Sequence, residues 1–446
     1  MTNTTVLTNE YPRPTGTIGV HYPLLLDNPF EHSRAVMFNL MLRNVATDGY
    51  VFADPWAPRF SQPGCIIASP SYDKNTPNID QDYIYHWTRD AAMTAYEMAN
   101  APLPFNDPAF IQQYLDNYVT FSKICQDNTS VPLDHACFNI NGTPRDWGNQ
   151  SDGPASQTLA ILAAYSQLSA GIQPVAVAVI SANLAFLLNN KYQLPTVNLW
   201  EETSGLSFYA RATQLRCFNA VSNALVAGTP PSILPPGKTA GDIDAAKNWL
   251  TSALRSHWVA SGNGSFYQSI MQASGRGAGL NADVVMAAVY GDVPDGISDN
   301  KLLATAAQVR NCWKDAPINK DDAHGPMIGR YPNDSYVGGN SWLLCTANFA
   351  EFYYRLANAI STNNALFQVD PYNRPFYAQV GVGESTSVAD AISALRNVGD
   401  RMLKGVLYHS DHLELSEQIR WDNGYEVSVR DLTWSYAAFL SAVRAR

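Results

Sequence analysis

Long apolar runs, positive charge and metal- or phosphate-binding motifs are what this sequence lacks. No stretch of its 446 residues reaches the roughly 20 apolar positions of a bilayer-spanning helix. The nearest, from Val175 to Leu188, is interrupted by Ser181 and Asn183. Lys and Arg number 29 against 39 Asp and Glu, a formal net charge of −10. Such a surface repels phosphate backbones and anionic headgroups, so neither nucleic acid nor a membrane is an expected partner. Met1 to Pro12 hold no apolar core of a secretory signal. The six cysteines form no CxxC pair, and the eight histidines form no HExxH. A GxSxG elbow and a GxxxxGK[ST] phosphate loop are missing too. His409, Asp411 and His412 lie close together, but a solvated loop explains them better than a metal site does. Gly275 to Gly279 only imitates a dinucleotide fingerprint. The expectation is therefore no metal and no organic cofactor.

What is present is a folded composition, 46% hydrophobic and 15% charged with a mean hydropathy of −0.17. The length would suit about three ordinary domains, yet barrels this long fold as one. Apolar residues recur at three- and four-residue spacing, which predicts about twelve helices and few strands. In alternation, the odd members are Phe30–Val45, Pro108–Ile124, Pro174–Leu188, Asp242–Trp258, Ser298–Trp313 and Val388–Leu407. The even members are Trp87–Ala99, Pro154–Leu168, Gly205–Ala227, Asn281–Tyr290, Ser341–Ile360 and Leu432–Val443. Ser387 with Asp390 and Ser428 with Asp431 fit capping boxes, and Pro154 fits a first helical position.

Segments rich in aromatic and charged residues stand before five of the six even helices, all but Asn281–Tyr290. They are 82–90 (DYIYHWTRD), 146–153 (DWGNQSDG), 198–205 (NLWEETSG), 329–336 (GRYPNDSY) and 416–424 (SEQIRWDNG). Six inner helices within six outer ones, with all inner N-termini on one face, would gather these segments around one pocket. The predicted fold is all-α, an (α/α)6 barrel.

Aromatic faces pack on the C–H faces of a pyranose, while carboxylates and guanidinium groups bind its hydroxyls. Trp87, Trp147 and Trp200 each stand beside a charged residue and fit that use, although any one of them serves a core equally well. Glycoside hydrolysis needs one carboxylic acid to protonate the leaving oxygen and one carboxylate on the opposite face. Glu201 and Glu202 follow Trp200. As neighbours they point in different directions, and like-charge repulsion with an indole nearby raises a carboxyl pKa. A solvated Glu-Glu at a helix start is the plainer alternative. Glu417 is the other candidate, with Glu414 and Glu426 as rivals that composition does not separate; Asp431 is assigned to its cap. Arg89 with Asp90, and Arg330 with Asp334, are either structural ion pairs or clamps on sugar hydroxyls.

Together these segments resemble the glucoamylases of glycoside hydrolase family fifteen, particularly the fungal type. The likeness runs from about Phe30 to the C-terminus and is strongest in YHWTRD (85–90), WGNQSDGP (147–154), NLWEETSGLSF (198–208), GRYPNDSY (329–336), SEQ (416–418) and RDLTWSYA (430–437). The resemblance implies an inverting exo-hydrolase acting on the non-reducing ends of starch, maltose and malto-oligosaccharides, most simply as a monomer. On the family pattern Glu201 matches the general acid and Glu417 the general base. Glu202 and Arg330 match residues on the leaving-group side, and Arg89 with Asp90 the clamp on the 4- and 6-hydroxyls. Trp147 matches an aromatic that stacks on substrate and supports the acid, Tyr83 a ring flooring the first subsite, and Trp434 a pocket wall. Asn149, Gln150 and Ser341 depart from the usual pattern. The expected organisation is an N-terminal extension over 1–29 and one catalytic domain over 30–446, without a starch-binding module. A polymeric substrate suggests export, with a cytoplasmic place left open. The rivals are a relative cleaving isomaltose, dextran or trehalose, and a glucan-binding protein without turnover.

Overall fold

A helix with no polar face has to be surrounded by protein, whereas one with a single apolar stripe belongs at the surface. That distinction sorts the helices here into two layers. The computed structural model describes residues 28–72, 82–100, 108–260, 264–273, 275–320 and 324–446. All but the last two residues of the expected N-terminal extension lie outside them. Among the described residues are thirteen α-helices. The first seven are α1 (Glu31–Leu42), α2 (Thr88–Ala99), α3 (Pro108–Gln126), α4 (Asp152–Ala164), α5 (Gln173–Leu187), α6 (Phe208–Ala227) and α7 (Ala240–Arg255). The rest are α8 (Asp283–Tyr290), α9 (Asn300–Cys312), α10 (Leu343–Thr362), α11 (Arg374–Ala378), α12 (Val388–His409) and α13 (Thr433–Ala445).

Every residue of α8 is buried, as is all of α13 from Thr433 to Val443. In α7, by contrast, only Ile243, Ala246, Leu250 and Leu254 are buried, one stripe at helical spacing. Helix α2 packs on α4, α4 on α6, α6 on α8, α8 on α10, α10 on α13, and α13 returns to α2. The ring is closed. Outside it, α1 packs on α13, α3 on α2, α5 on α4, α7 on α6, α9 on α8 and α12 on α10. This is the (α/α)6 barrel, and the predicted even helices are its inner ring.

Short strands account for most of the boundary differences. They are β1 (His86–Trp87), β2 (Cys137–Phe138), β3 (Thr196–Val197), β4 (Ser204–Ser207) and β5 (Trp258–Val259), followed by β6 (Phe266–Tyr267), β7 (Ile270–Met271), β8 (Ser341–Trp342), β9 (Gln418–Ile419) and β10 (Glu426–Val427). Gly205, Trp258 and Ser341, predicted as helical, lie in β4, β5 and β8. Glycine is required at 205 because an added Cβ would sit 2.5 Å from Ile270 Cγ2 and 2.7 Å from the Met271 carbonyl of β7. Pro154 falls two residues inside α4 rather than at its start. Ser387 does cap α12, accepting from the Asp390 N–H. Ser428 and Asp431 do not form a capping box. Both have positive φ, 67° and 49°, and α13 begins at Thr433 without a side-chain cap. The Ser428 hydroxyl is turned toward Glu417 instead, and Asp431 accepts from the Tyr436 hydroxyl. An unpredicted capping box joins Thr239 and Asp242 at the start of α7.

Candidate active site

The strands carry the chemistry to the N-terminal face of the inner ring. Strands β3 and β4 pair with Val197 opposite Ser204, so residues 198–203 form the connecting loop. Asn198 shapes it by accepting from the N–H groups of Glu202 (2.9 Å) and Thr203 (3.2 Å). Glu201 takes φ 64° there, a left-handed conformation that a non-glycine residue keeps only when its surroundings enforce it. Across the ring, β8, β9 and β10 form one sheet in which Trp342 faces Gln418. That register sets Glu417 against the start of α10, where its carbonyl accepts from Leu343 N–H (3.2 Å).

A cavity of about 850 Å³ opens here, lined by all eleven binding and catalytic residues singled out from the sequence. The starts of α2, α10 and α13 and the loops before α4 and α6 contribute to it. Asn281, two residues before α8, supports the lining from behind, its Oδ1 accepting from Trp200 Nε1 at 3.0 Å. Trp434, 4% exposed, also lines the cavity and donates to the Tyr290 hydroxyl at 3.1 Å.

The adjacent glutamates do diverge. Glu201 Oε1 accepts from Trp87 Nε1 (2.8 Å) and Oε2 from Trp147 Nε1 (3.0 Å). Glu202 accepts from Arg330 Nη2 (2.9 Å) and from the Tyr331 hydroxyl. Burial pushes the Glu201 carboxyl up to about 7, opposed by Arg89 and the two indole donors. The like charge acting on it is that of Asp90.

Glu417 is 2% exposed. Its Oε1 accepts from the Tyr83 hydroxyl (2.9 Å), and Oε2 accepts from Gln418 Nε2 (2.9 Å) and Ser428 Oγ. Burial raises its pKa, and all three donors pull it back. Its rivals are elsewhere: Glu414 pairs with Arg43 at the surface, and Glu426 accepts from Ser416 N–H.

Arg89 donates to Gln150 (3.0 Å) and Asp152 (3.2 Å), with Asp90 3.8 Å from its Nε. Burial pushes the Asp90 carboxyl up to about 6 against the pull of Arg89. Arg330 is held by Asp334 at 2.7 Å and faces the rings of Trp342 and Trp200 at 4.9 and 5.3 Å. Both arginine–aspartate pairs are buried ion pairs that also present a cation to the cavity. Among the described residues no cluster of His, Cys, Asp or Glu could hold a metal ion. His409 contacts the Gly424 carbonyl, while His412 meets Asp411 in the open.

The profile of the family described as "Glycosyl hydrolases family 15" matches residues 36–444. The chain belongs to glycosyl hydrolase family 15. Among family relatives, "Glucoamylase 1" of Rhizopus oryzae is 30% identical over 91% of this chain and 68% of its own. "Probable glucoamylase" of Schizosaccharomyces pombe is 27% identical over 94% of this chain and 92% of its own. The solved structure of Hormoconis resinae glucoamylase superposes with a TM-score of 0.74 at 25% identity, over 93% of this chain and 72% of that one. A glucoamylase from Saccharomycopsis fibuligera shares the fold with a TM-score of 0.75 at 21% identity, over 93% and 94%.

The structure adds residues to this family 15 pocket that the sequence reading passed over. Tyr336 reaches the Tyr83 hydroxyl at 3.0 Å, Ser428 binds Glu417, and Trp342 and Arg145 line the wall. Tyr336 ends the arginine segment and Trp342 follows it, so both were findable from it. Nothing local marks Arg145 or Ser428. Among the described residues no helix is long and apolar enough to cross a membrane.

Proposed function

We propose that this family 15 chain is a glucan 1,4-α-glucosidase, a glucoamylase releasing β-D-glucose from the non-reducing ends of starch, maltose and malto-oligosaccharides. The observation that carries this reading is one pocket holding two buried carboxyls with different sets of donors. Glu201, pushed up to about 7, keeps its proton at mildly acidic pH and is suited to protonate the glycosidic oxygen. Glu417, bound by three donors, is suited to stay ionised and take a proton from water.

In a single displacement the water oxygen bonds to the anomeric carbon as the glycosidic C–O bond breaks. One water proton goes to Glu417 while the Glu201 proton goes to the leaving oxygen, so configuration inverts. Inversion needs room for that water, about 6.5–9.5 Å between carboxyls, against about 5 Å for retention. Glu202, already engaged by Arg330 and Tyr331, is assigned to binding on the leaving-group side. Arg89 and Asp90, beside Trp434 in the cavity lining, are assigned to the hydroxyls of the terminal glucose, and a clamp on the chain end makes the action exo. Trp87, Trp147, Trp200 and Tyr83 supply ring surface. All these residues come from one chain, so a monomer suffices, and a polymeric substrate favours action outside the cell.

Proton NMR of maltotetraose digestion tests the reading. β-Glucose and maltotriose are expected as first products. α-Glucose would overturn inversion, and cleavage of isomaltose or trehalose instead would overturn the linkage. Tight binding without hydrolysis would overturn the enzyme.

A further inference from the structure

We infer that Arg145 is a positioning residue for the Glu201 carboxyl, acting through the two indoles that hold it. Its guanidinium carbon lies 3.7 Å from the Tyr85 ring centre, 4.4 Å from that of Trp147 and 5.7 Å from that of Trp87. The last two rings are those that donate to Glu201, one to each oxygen. They meet edge to face, 5.8 Å apart at 89°, so neither turns without moving the other.

The backbone of Arg145 is fixed at both ends. Its N–H donates to the Cys137 carbonyl (3.1 Å), and its carbonyl accepts from His135 Nε2 (2.8 Å). The side chain is poorly paired by comparison. Asp82 Oδ2 is 4.0 Å from Nη2, the Cys137 side chain is a second polar neighbour, and Nη1 is buried without a hydrogen-bond partner. A guanidinium taken largely out of water is costly unless something replaces that water. Here the replacement is three ring faces. A cation on an indole face draws density from the ring, which makes its N–H a better donor. The same stack fixes the plane in which each N–H points.

The charged and titratable groups around Glu201 are Arg89 and Asp90 from α2 and Cys137 from β2, with Glu202 alongside committed to Arg330. None of them sets the orientation of the indoles. The inference rests on the proposed role of Glu201 as acid, so its test includes a signal independent of turnover.

The test compares Arg145→Met and Arg145→Lys with the parent for kcat and KM on maltotriose across the active pH range. Arg145→Met is expected to lower kcat about 10- to 100-fold, the range for weakening a charge-assisted hydrogen bond, with KM within about threefold. Its alkaline limb is expected to move to higher pH by about half a unit or more, because lost cation and weakened donors both disfavour the Glu201 carboxylate. Arg145→Lys, which keeps charge but not the planar stack, should fall between. Arg145→Met should also cost less in a Trp147→Phe background than in the parent.

A rise in KM with an unmoved limb would make Arg145 a direct sugar ligand and overturn the inference, as would equal cost in both backgrounds. Tryptophan fluorescence against pH, with Glu201→Gln as the blank, reads the Glu201 ionisation directly. A shifted fluorescence midpoint without a shifted kinetic limb would uphold the positioning and sink the acid assignment; an unshifted midpoint would sink the positioning. Should Arg145→Met fail to fold by circular dichroism, Arg145→Lys in the two backgrounds decides the same question.

Discussion

Glu201 and Glu417 line one cavity from segments far apart in the sequence and are caged differently. Glu201 sits on a strand-to-strand loop in a left-handed conformation, touched by two indole N–H groups. Glu417 leads into a sheet strand and receives two hydroxyls and an amide. Both carboxyls are raised by burial. For Glu201 the nearby Asp90 adds to the rise and Arg89 opposes it. For Glu417 no acidic neighbour is among the main causes, and Arg330 works with the three donors to lower it. The two carboxyls differ in the number of donors, two against three, and in the acidic neighbour that only Glu201 has, and the proposed division into acid and base rests on that difference.

Removing either carboxyl tests that division most severely. Glu201→Gln and Glu417→Gln should each lower kcat on maltotriose by about 10²–10⁴-fold or more. KM should change little, since neither group is needed to hold the ground state. Near-parental turnover in either variant would mean that another group does its work.

Weakening the cages should move the pH limbs in the same sense by different routes. The donors from Trp147 and Trp87 stabilise ionised Glu201, so Trp147→Phe should raise its pKa and extend the alkaline limb upward. The loss in kcat should be about tenfold or more. The Ser428 donor stabilises ionised Glu417, so Ser428→Ala should raise the acid limb, narrowing the profile from below. Its effect at the optimum should be only a few-fold, because Tyr83 and Gln418 remain. Movement of the acid limb in Trp147→Phe, or of the alkaline limb in Ser428→Ala, would reverse the assignment of acid and base.

How much of this could be seen in the sequence follows from the reach of each interaction. Helices announce themselves within a few turns, and the alternation of α2, α4, α6 and α10 with polar-aromatic segments was visible because each segment directly precedes its helix. The choice of Glu201 over Glu202 was not visible from local chemistry. Its donors are 114 and 54 positions away, and only the β3–β4 loop decides which carboxyl meets them. Family motifs supplied that choice in place of geometry. Ser428 shows local logic failing outright. Its spacing to Asp431 is that of a cap, but the chain passes through two left-handed residues and delivers the hydroxyl to Glu417, eleven positions back. Arg145 is hard to see for a related reason: Trp147 is two positions on, but the Tyr85 and Trp87 rings come from a remote segment.

The smallest expected effect concerns stability and separates the cost of tuning from its use. A carboxyl at about 7 in the folded chain ionises near 4.3 when unfolded. Below the unfolded value both states are protonated, and Glu201 contributes nothing to the pH dependence. Between the two values the unfolded state releases its proton first, so stability falls as pH rises, and the penalty is complete above about 7. Asp90, at about 6, and the fully buried Asp283, at about 7, act in the same direction and remain in every variant considered. Glu201→Gln deletes only its own share. The melting temperature of that variant minus that of the parent should therefore become more positive from pH 4 to pH 7, by about 1–3 °C. Any constant offset from the exchanged amide leaves this slope unchanged. A flat difference would mean that the Glu201 carboxyl ionises normally in the free pocket, and that its raised pKa, and with it the acid role, has to be induced by substrate.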